Sequence, residues 1–306
     1  MRDALSDALV SMASRNPRFV LLTGDHGYAL FDVFRAKFPD QFINAGVAEQ
    51  NMIGMAAGLA RRGFKPCVYG LAAFIPVRTL EQIKLDVAHE GLPVIFLGDG
   101  AGLVYSHLGS SHQSTEDIAC LRAIPSIEIL SPADRHEMTA CMAYAESSEA
   151  PVYIRIGKAD LGDIHAGPLP SLSVGNLVLI HEGREDHAAI IATGAMVKSA
   201  LEIGQALHLS VWSAPFLKPL SQADVISAAQ GSRGLIVLEE HSVLGGLGAA
   251  VAEVTSTHCP LRILRIGVED RFSLGCGDYG YLLSEHGIDK ASVLEKVRGF
   301  CGLVSE

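Results

Sequence analysis

The stretch "INAGVAEQNMIGMAAGLARRG", residues 43–63, sets one acid, Glu49, at the head of an otherwise apolar, Ala- and Gly-rich segment. Its apolar side chains recur at helical spacing, and Gly63 supplies a stop, so 49–62 reads as a helix. The small side chains imply close packing of that helix on a sheet. A carboxylate in a first helical turn is favoured by the helix dipole, and taken alone Glu49 needs no other explanation. What surrounds it changes the reading.

Working outward, strand and helix patterns alternate. Arg2–Arg15 puts Leu5, Leu9 and Met12 on one helical face. "FVLLTG" is a buried strand ending at Gly24, "CVYG" and "PVIFLG" are two more, and "PVYIRI" is a fourth. Between them lie helices at "VRTLEQIKLDVAHEG", closed by Gly91, and at 134–147, which Ser131 or Asp134 could cap. Then "GKADLGDIHAGPLPSLSVGN" loses all periodicity and reads as a crossing between domains. The alternation resumes with strands at "AAIIATG", "LSVWSA", "GLIVLEE" and "LRILRIG", helices at 196–206, Gln222–Ala229 and 246–255, and a closing helix "KASVLEKVRGF". Strands alternating with helices predict an α/β chain of two domains, each a mostly parallel sheet with helices on both faces. The boundaries read as 1–157, a linker at 158–175, and 176–306.

Bulk composition narrows the function classes. Net charge is −10, which leaves no basic footprint for nucleic acid. No run of about 18 apolar residues predicts a membrane span, and the N-terminal residues lack the pattern of a secretory signal. Six cysteines are scattered with no C-x-x-C, which suits reduced thiols in a cytoplasmic protein.

In an open parallel sheet, the loops after the strands' carboxyl ends gather at one edge, where ligands bind. "TGDHGY" (23–28), "GLAAFIPVR" (70–78) and "HLGSSHQSTED" (107–117) are such loops, and the head of the Glu49 helix joins them. Asp25, His26, Phe74, Arg78, His107 and His112 lie on these loops. Each has a plain structural reading as well: a turn residue, a core aromatic, a solvated histidine or a surface ion pair.

"INAGVAEQNMIGMAAGLA", "EQIKLDVAHEGLPVIFLGDGAGLVYSHLGSSHQSTEDIA", "SPADRHE", "PVYIRIGK" and "LEEHSVLGGLGAAVAE" resemble, in order, the pyrimidine-binding and C-terminal domains of transketolase. The similarity extends to 1-deoxyxylulose-5-phosphate synthase. The resemblance implies an enzyme of thiamin diphosphate chemistry. The family's diphosphate- and metal-binding domain has no counterpart here, which implies the smaller subunit of a split transketolase. A larger subunit would then hold the diphosphate and Mg2+, in a heterotetramer built around a dimer of this chain.

Carried across by motif, Glu49 is the catalytic acid. Hydrogen-bonded to the aminopyrimidine ring nitrogen, it would drive the cofactor's amino group toward an imino form competent to take a proton. Phe74 would stack on that ring and Asp25 line the cofactor site. His112 would polarise a ketose oxygen. Arg2, Arg155 and Lys158 match cations that grip substrate phosphate; Arg78 is a further candidate from its loop alone, and His107 could line the substrate mouth.

Departures from the pattern concern the substrate. Leu108 replaces an acid, Gly100 a histidine and Ala29 a serine, which points away from ordinary pentose phosphates toward a specialised ketose. Two motifs read as decoys. "GDG" at 98–100 resembles the start of the metal motif but lacks its later asparagine, and "GGLGAAV" at 245–251 lacks the third glycine of a dinucleotide loop. The nearest rival enzyme is the beta chain of a 2-oxo acid dehydrogenase, and the rival of another class is a non-catalytic scaffold subunit.

Overall fold

A computed structural model describes residues 1–302. The first half builds six parallel strands: β1 (Phe19–Thr23), β2 (Phe42–Asn44), β3 (Lys65–Leu71), β4 (Ile95–Asp99), β5 (Glu128–Leu130) and β6 (Val152–Ile156). The second half supplies β7 (Val178–His181), β8 (Ala189–Ala192), β9 (Ser210–Ser213), β10 (Phe216–Lys218), β11 (Leu235–Ser242) and β12 (Ile263–Val268). The five-stranded sheet runs β12-β11-β8-β9-β7, parallel except for β7. The predicted fold class holds.

One strand crosses the expected boundary. β10 leaves its own half and pairs antiparallel with β5, completing a seven-stranded sheet of order β10-β5-β6-β4-β3-β1-β2. An unpaired edge at β5 would expose a row of backbone donors and acceptors, and β10 covers it.

The Glu49 helix, Glu49–Arg61, presses Met52, Ile53, Ala56, Ala57 and Ala60 into the core between sheet and helices. Helix Arg2–Arg15 buries Leu5, Leu9, Met12 and Ala13 on the other face of the sheet, against helix Arg135–Ser147. The latter is capped by Asp134, whose Oδ1 accepts from the backbone N–H of His136 and Glu137 at 2.9 Å. Asp134 Oδ2 accepts from the N–H of Ile164 and His165 as well, so one carboxylate both starts a helix and fastens the linker. Ser131, the alternative cap, does not serve; its hydroxyl makes no hydrogen bond.

The segment after β3 departs from the expected single helix. It starts earlier, at Ile75–Arg78, resumes at Leu80–Gln82, and runs on as a π turn over Ile83–Ala88. The Thr79 hydroxyl donates back to the Ile75 carbonyl where the helix breaks. Such irregular turns often mark functional sites.

Candidate active site

The strand order reverses direction between β1 and β3, and the loops beyond their carboxyl ends form the expected edge. Asn44, ending β2, stitches two of these loops together. Its Oδ1 accepts from the N–H of Asp25 and Gly46, and its Nδ2 donates to Asp25 Oδ1 at 3.1 Å. This seats the Asp25 loop beside the turn that leads into Glu49. Asp25 itself has φ of +63°, a conformation aspartate tolerates better than most residues.

Glu49 is only 4% exposed, unusual for a glutamate. Its Oε2 accepts from Arg78 Nη1 at 2.9 Å, while its Oε1 is buried without a hydrogen-bond partner. The Arg78 guanidinium lies over the Phe74 ring, 4.0 Å from its centroid. One helical turn separates Phe74 from Arg78, so both side chains fall on one face. The His112 ring meets Phe74 edge-on, with centroids 5.2 Å apart and planes at 64°. Its Nδ1 lies 3.0 Å from the Ser111 hydroxyl, and Nε2 makes no hydrogen bond within the described residues.

Glu49, Phe74 and His112 are therefore brought together as a buried acid, an aromatic face and an imidazole. Residues 1–163 match "Transketolase, pyrimidine binding domain", and residues 176–293 match "Transketolase, C-terminal domain". This chain belongs to the transketolase family.

Two relatives frame its length. A subunit of the apulose-4-phosphate transketolase of Phocaeicola vulgatus is 31% identical, with 98% of this chain matched to 96% of that protein. A "1-deoxy-D-xylulose-5-phosphate synthase" of Azoarcus sp. is 34% identical over 95% of the chain, which spans 47% of the synthase's length. Among solved structures, a "Split gene transketolase, inactive beta4 tetramer" superposes with a TM-score of 0.87 at 32% identity, covering 99% of this chain and 98% of that one. These findings favour the transketolase reading over the dehydrogenase one.

The remaining transketolase-like positions lie outside the contacts of the Glu49 cluster. Arg2 stands beside Asp99, Tyr69 and Tyr105; burial works against its charge, but Asp99 and the hydroxyls keep its pKa above the ordinary value. Tyr105 donates to Asp99 at 2.7 Å. Gly100 has φ of +71°, and a Cβ there would sit 1.9 Å from the Tyr105 ring. Tyr105 thus takes the space that a side chain at position 100 would need, which explains the missing histidine. His107 is exposed on a turn at Ser106–Leu108. His26 is half-buried, with its Nε2 left without a partner.

Arg155 and Lys158 are not part of the Glu49 cluster. Arg155 is 2% exposed, and its Nε lies 2.9 Å from Asp117 Oδ2. Its Nη2 donates to the carbonyls of Ser114 and Glu240, the latter on β11. A guanidinium already neutralised and bonded across the domain boundary is committed to structure rather than to phosphate. Lys158 pairs with Asp160 and lies over Tyr279, 5.6 Å from its centroid.

The second domain reaches the site loops through side chains that no sequence pattern announced. Glu240 Oε1 accepts from Leu103 N–H at 2.6 Å and its Oε2 from the Tyr279 hydroxyl. The Ser242 N–H donates to the Thr115 carbonyl at 2.7 Å. The glycine run at 245–251 begins helix Leu247–His258, and its N-terminal amides are already taken: Glu239 accepts from Leu247 and Gly248 at 2.7 and 2.8 Å. Burial lifts Glu239 to a pKa of about 7 against those hydrogen bonds. A carboxyl group fills the place a dinucleotide phosphate would take. Among the described residues, no group of three or more His, Cys, Asp or Glu is placed to hold a metal ion, and no helix is long and apolar enough to cross a membrane.

Proposed function

We propose that this chain is the smaller subunit of a split transketolase, moving a two-carbon ketol unit from a phosphorylated ketose to an aldose, and active only with a larger subunit. Glu49, Phe74 and Asp25 would bind the aminopyrimidine end of thiamin diphosphate, and the partner would hold its diphosphate and Mg2+. The bound cofactor supplies a carbon nucleophile that cleaves the bond beside a ketose carbonyl.

The observation that carries this reading is Glu49 Oε1, buried and unbonded, on a carboxylate whose other oxygen is held by the same Arg78 that lies over the Phe74 ring. A buried polar atom left unsatisfied costs about 1–3 kcal/mol, unless a ligand provides its partner. A ring nitrogen that shares a proton with the carboxyl group meets that need, and Phe74 offers the flat surface such a ring stacks on. Glu49 would hold the shared proton at the pyrimidine nitrogen. His112, through its unbonded Nε2, would donate to the ketose oxygen as negative charge develops there. Arg2 and His107, at the rim, would meet the substrate.

For the assembly, we propose a heterotetramer built around a dimer of this chain. The split-gene relative described as an inactive β4 tetramer supports self-association of such a subunit without activity. The free cysteines, none disulfide-bonded, suit the cytoplasm.

The test is co-production with the larger subunit and a screen of ketose donors with thiamin diphosphate and Mg2+. Glu49→Gln should lower turnover by about 10²–10⁴-fold, the range for a lost acid–base contribution, while the subunits still assemble. Equal rates for Glu49→Gln and wild type would end the assignment.

A further inference from the structure

Resting on that reading, we propose that Arg78 is a built-in placeholder for the cofactor's pyrimidine ring: its guanidinium fills the pyrimidine position until the cofactor displaces it. The sequence offered Arg78 only as a possible phosphate ligand. Its geometry says something different. The guanidinium is planar and delocalised, and carries N–H donors along its edge. One flat side covers Phe74 at 4.0 Å, and one edge donates to Glu49 Oε2 at 2.9 Å. A contact over Phe74 and an N–H shared with the Glu49 carboxyl group, through Oε2 where the pyrimidine would use the free Oε1, are the kinds of contact an aminopyrimidine would make. Two planar groups cannot occupy the same side of one ring, so Arg78 and the pyrimidine exclude each other.

The surroundings are arranged for such an exchange. Glu49 is 4% exposed but the Arg78 side chain is 45% exposed, so its way out leads to solvent. The backbone beneath it is anchored. Ile75 is fully buried, and Gln50 Nε2 donates to the Arg78 carbonyl at 3.2 Å. Side-chain torsions alone can therefore swing the guanidinium aside, and no core residue need move. His112 lies tilted against Phe74 at 64° rather than stacked on it, whereas Arg78 lies over the ring. Arg78 also gives the buried Glu49 a counterion, without which an ionised carboxylate would be costly to bury.

A site filled by its own side chain binds more weakly in proportion to the time it is filled. The experiment is isothermal titration of thiamin diphosphate, with Mg2+, into the assembled complex carrying wild-type, Arg78→Met or Arg78→Lys chains. Arg78→Met should tighten the Kd by about tenfold, the scale of a lost stacked and paired competitor. Arg78→Lys keeps a counterion for Glu49, which protects folding, but loses the flat stack, and its Kd should fall between the two. Wild type that binds while both variants bind equally or more weakly overturns the placeholder role alone. A complex that binds no thiamin diphosphate with any of the three chains overturns the proposed function and this inference with it.

Discussion

Asp117→Asn is the change whose cost the structure lets one work out most directly. Asp117 is fully buried, accepts from Arg155 Nε at 2.9 and 3.1 Å through its two oxygens, and accepts from the Tyr153 hydroxyl at 2.8 Å. Asparagine keeps the shape and one acceptor but removes the charge, leaving the guanidinium buried beside Glu240 as its next acid. Breaking a buried pair at one end costs about 3–5 kcal/mol, because the surviving charge is uncompensated. For a chain of this length the unfolding entropy converts that to a fall in Tm of about 5–8 °C. Calorimetry of the isolated chain reads the shift. Asp117→Asn with Arg155→Met removes both charges and should recover part of the loss, although the carbonyls of Ser114 and Glu240 then lose a donor. A single variant melting within about 1 °C of wild type would refute the claim that Asp117 supplies the charge that lets Arg155 stay buried.

Two further outcomes follow from local geometry. His165 Nε2 lies 3.0 Å from Glu137 Oε1; burial opposes its charge, but Glu137 and Asp134 raise its pKa above the usual 6.5. Its contribution to stability is therefore complete below pH 6.5 and is lost as pH rises through the folded value. His165→Gln should flatten the fall in Tm just above pH 6.5, and an unchanged pH profile would contradict the pairing. Gly100→His restores the histidine of the transketolase pattern but forces a side chain onto φ of +71° and into the Tyr105 ring. We expect a loss of about 1–3 kcal/mol, read by urea denaturation and partly reversed by Tyr105→Ala.

The pattern of residues along the chain was enough to reveal the two α/β halves. Apolar runs of strand length broken by capped helices permit little else, and the acid heading an Ala- and Gly-rich helix marked a candidate site before any coordinates. Glu49, Phe74 and His112 could be singled out as candidates because each follows a strand's carboxyl end, and a parallel sheet delivers those ends to one edge. Asp134 could be read as a cap, because capping is decided within a few residues. What only the folded chain decided were the contacts between distant segments. β10 joins the first sheet because an open edge at β5 needs covering, and nothing local in "PFLKP" says so. Arg155 looked like a phosphate ligand by motif, but Asp117 and two carbonyls claim it, one of them from β11. Arg78 turned from a loose cation into Glu49's partner. Helical spacing and strand alternation report which face a residue takes, and that much is written locally. Which partner a charge finds across that face depends on segments far apart in the chain, and burial makes the choice by penalising any charge left alone.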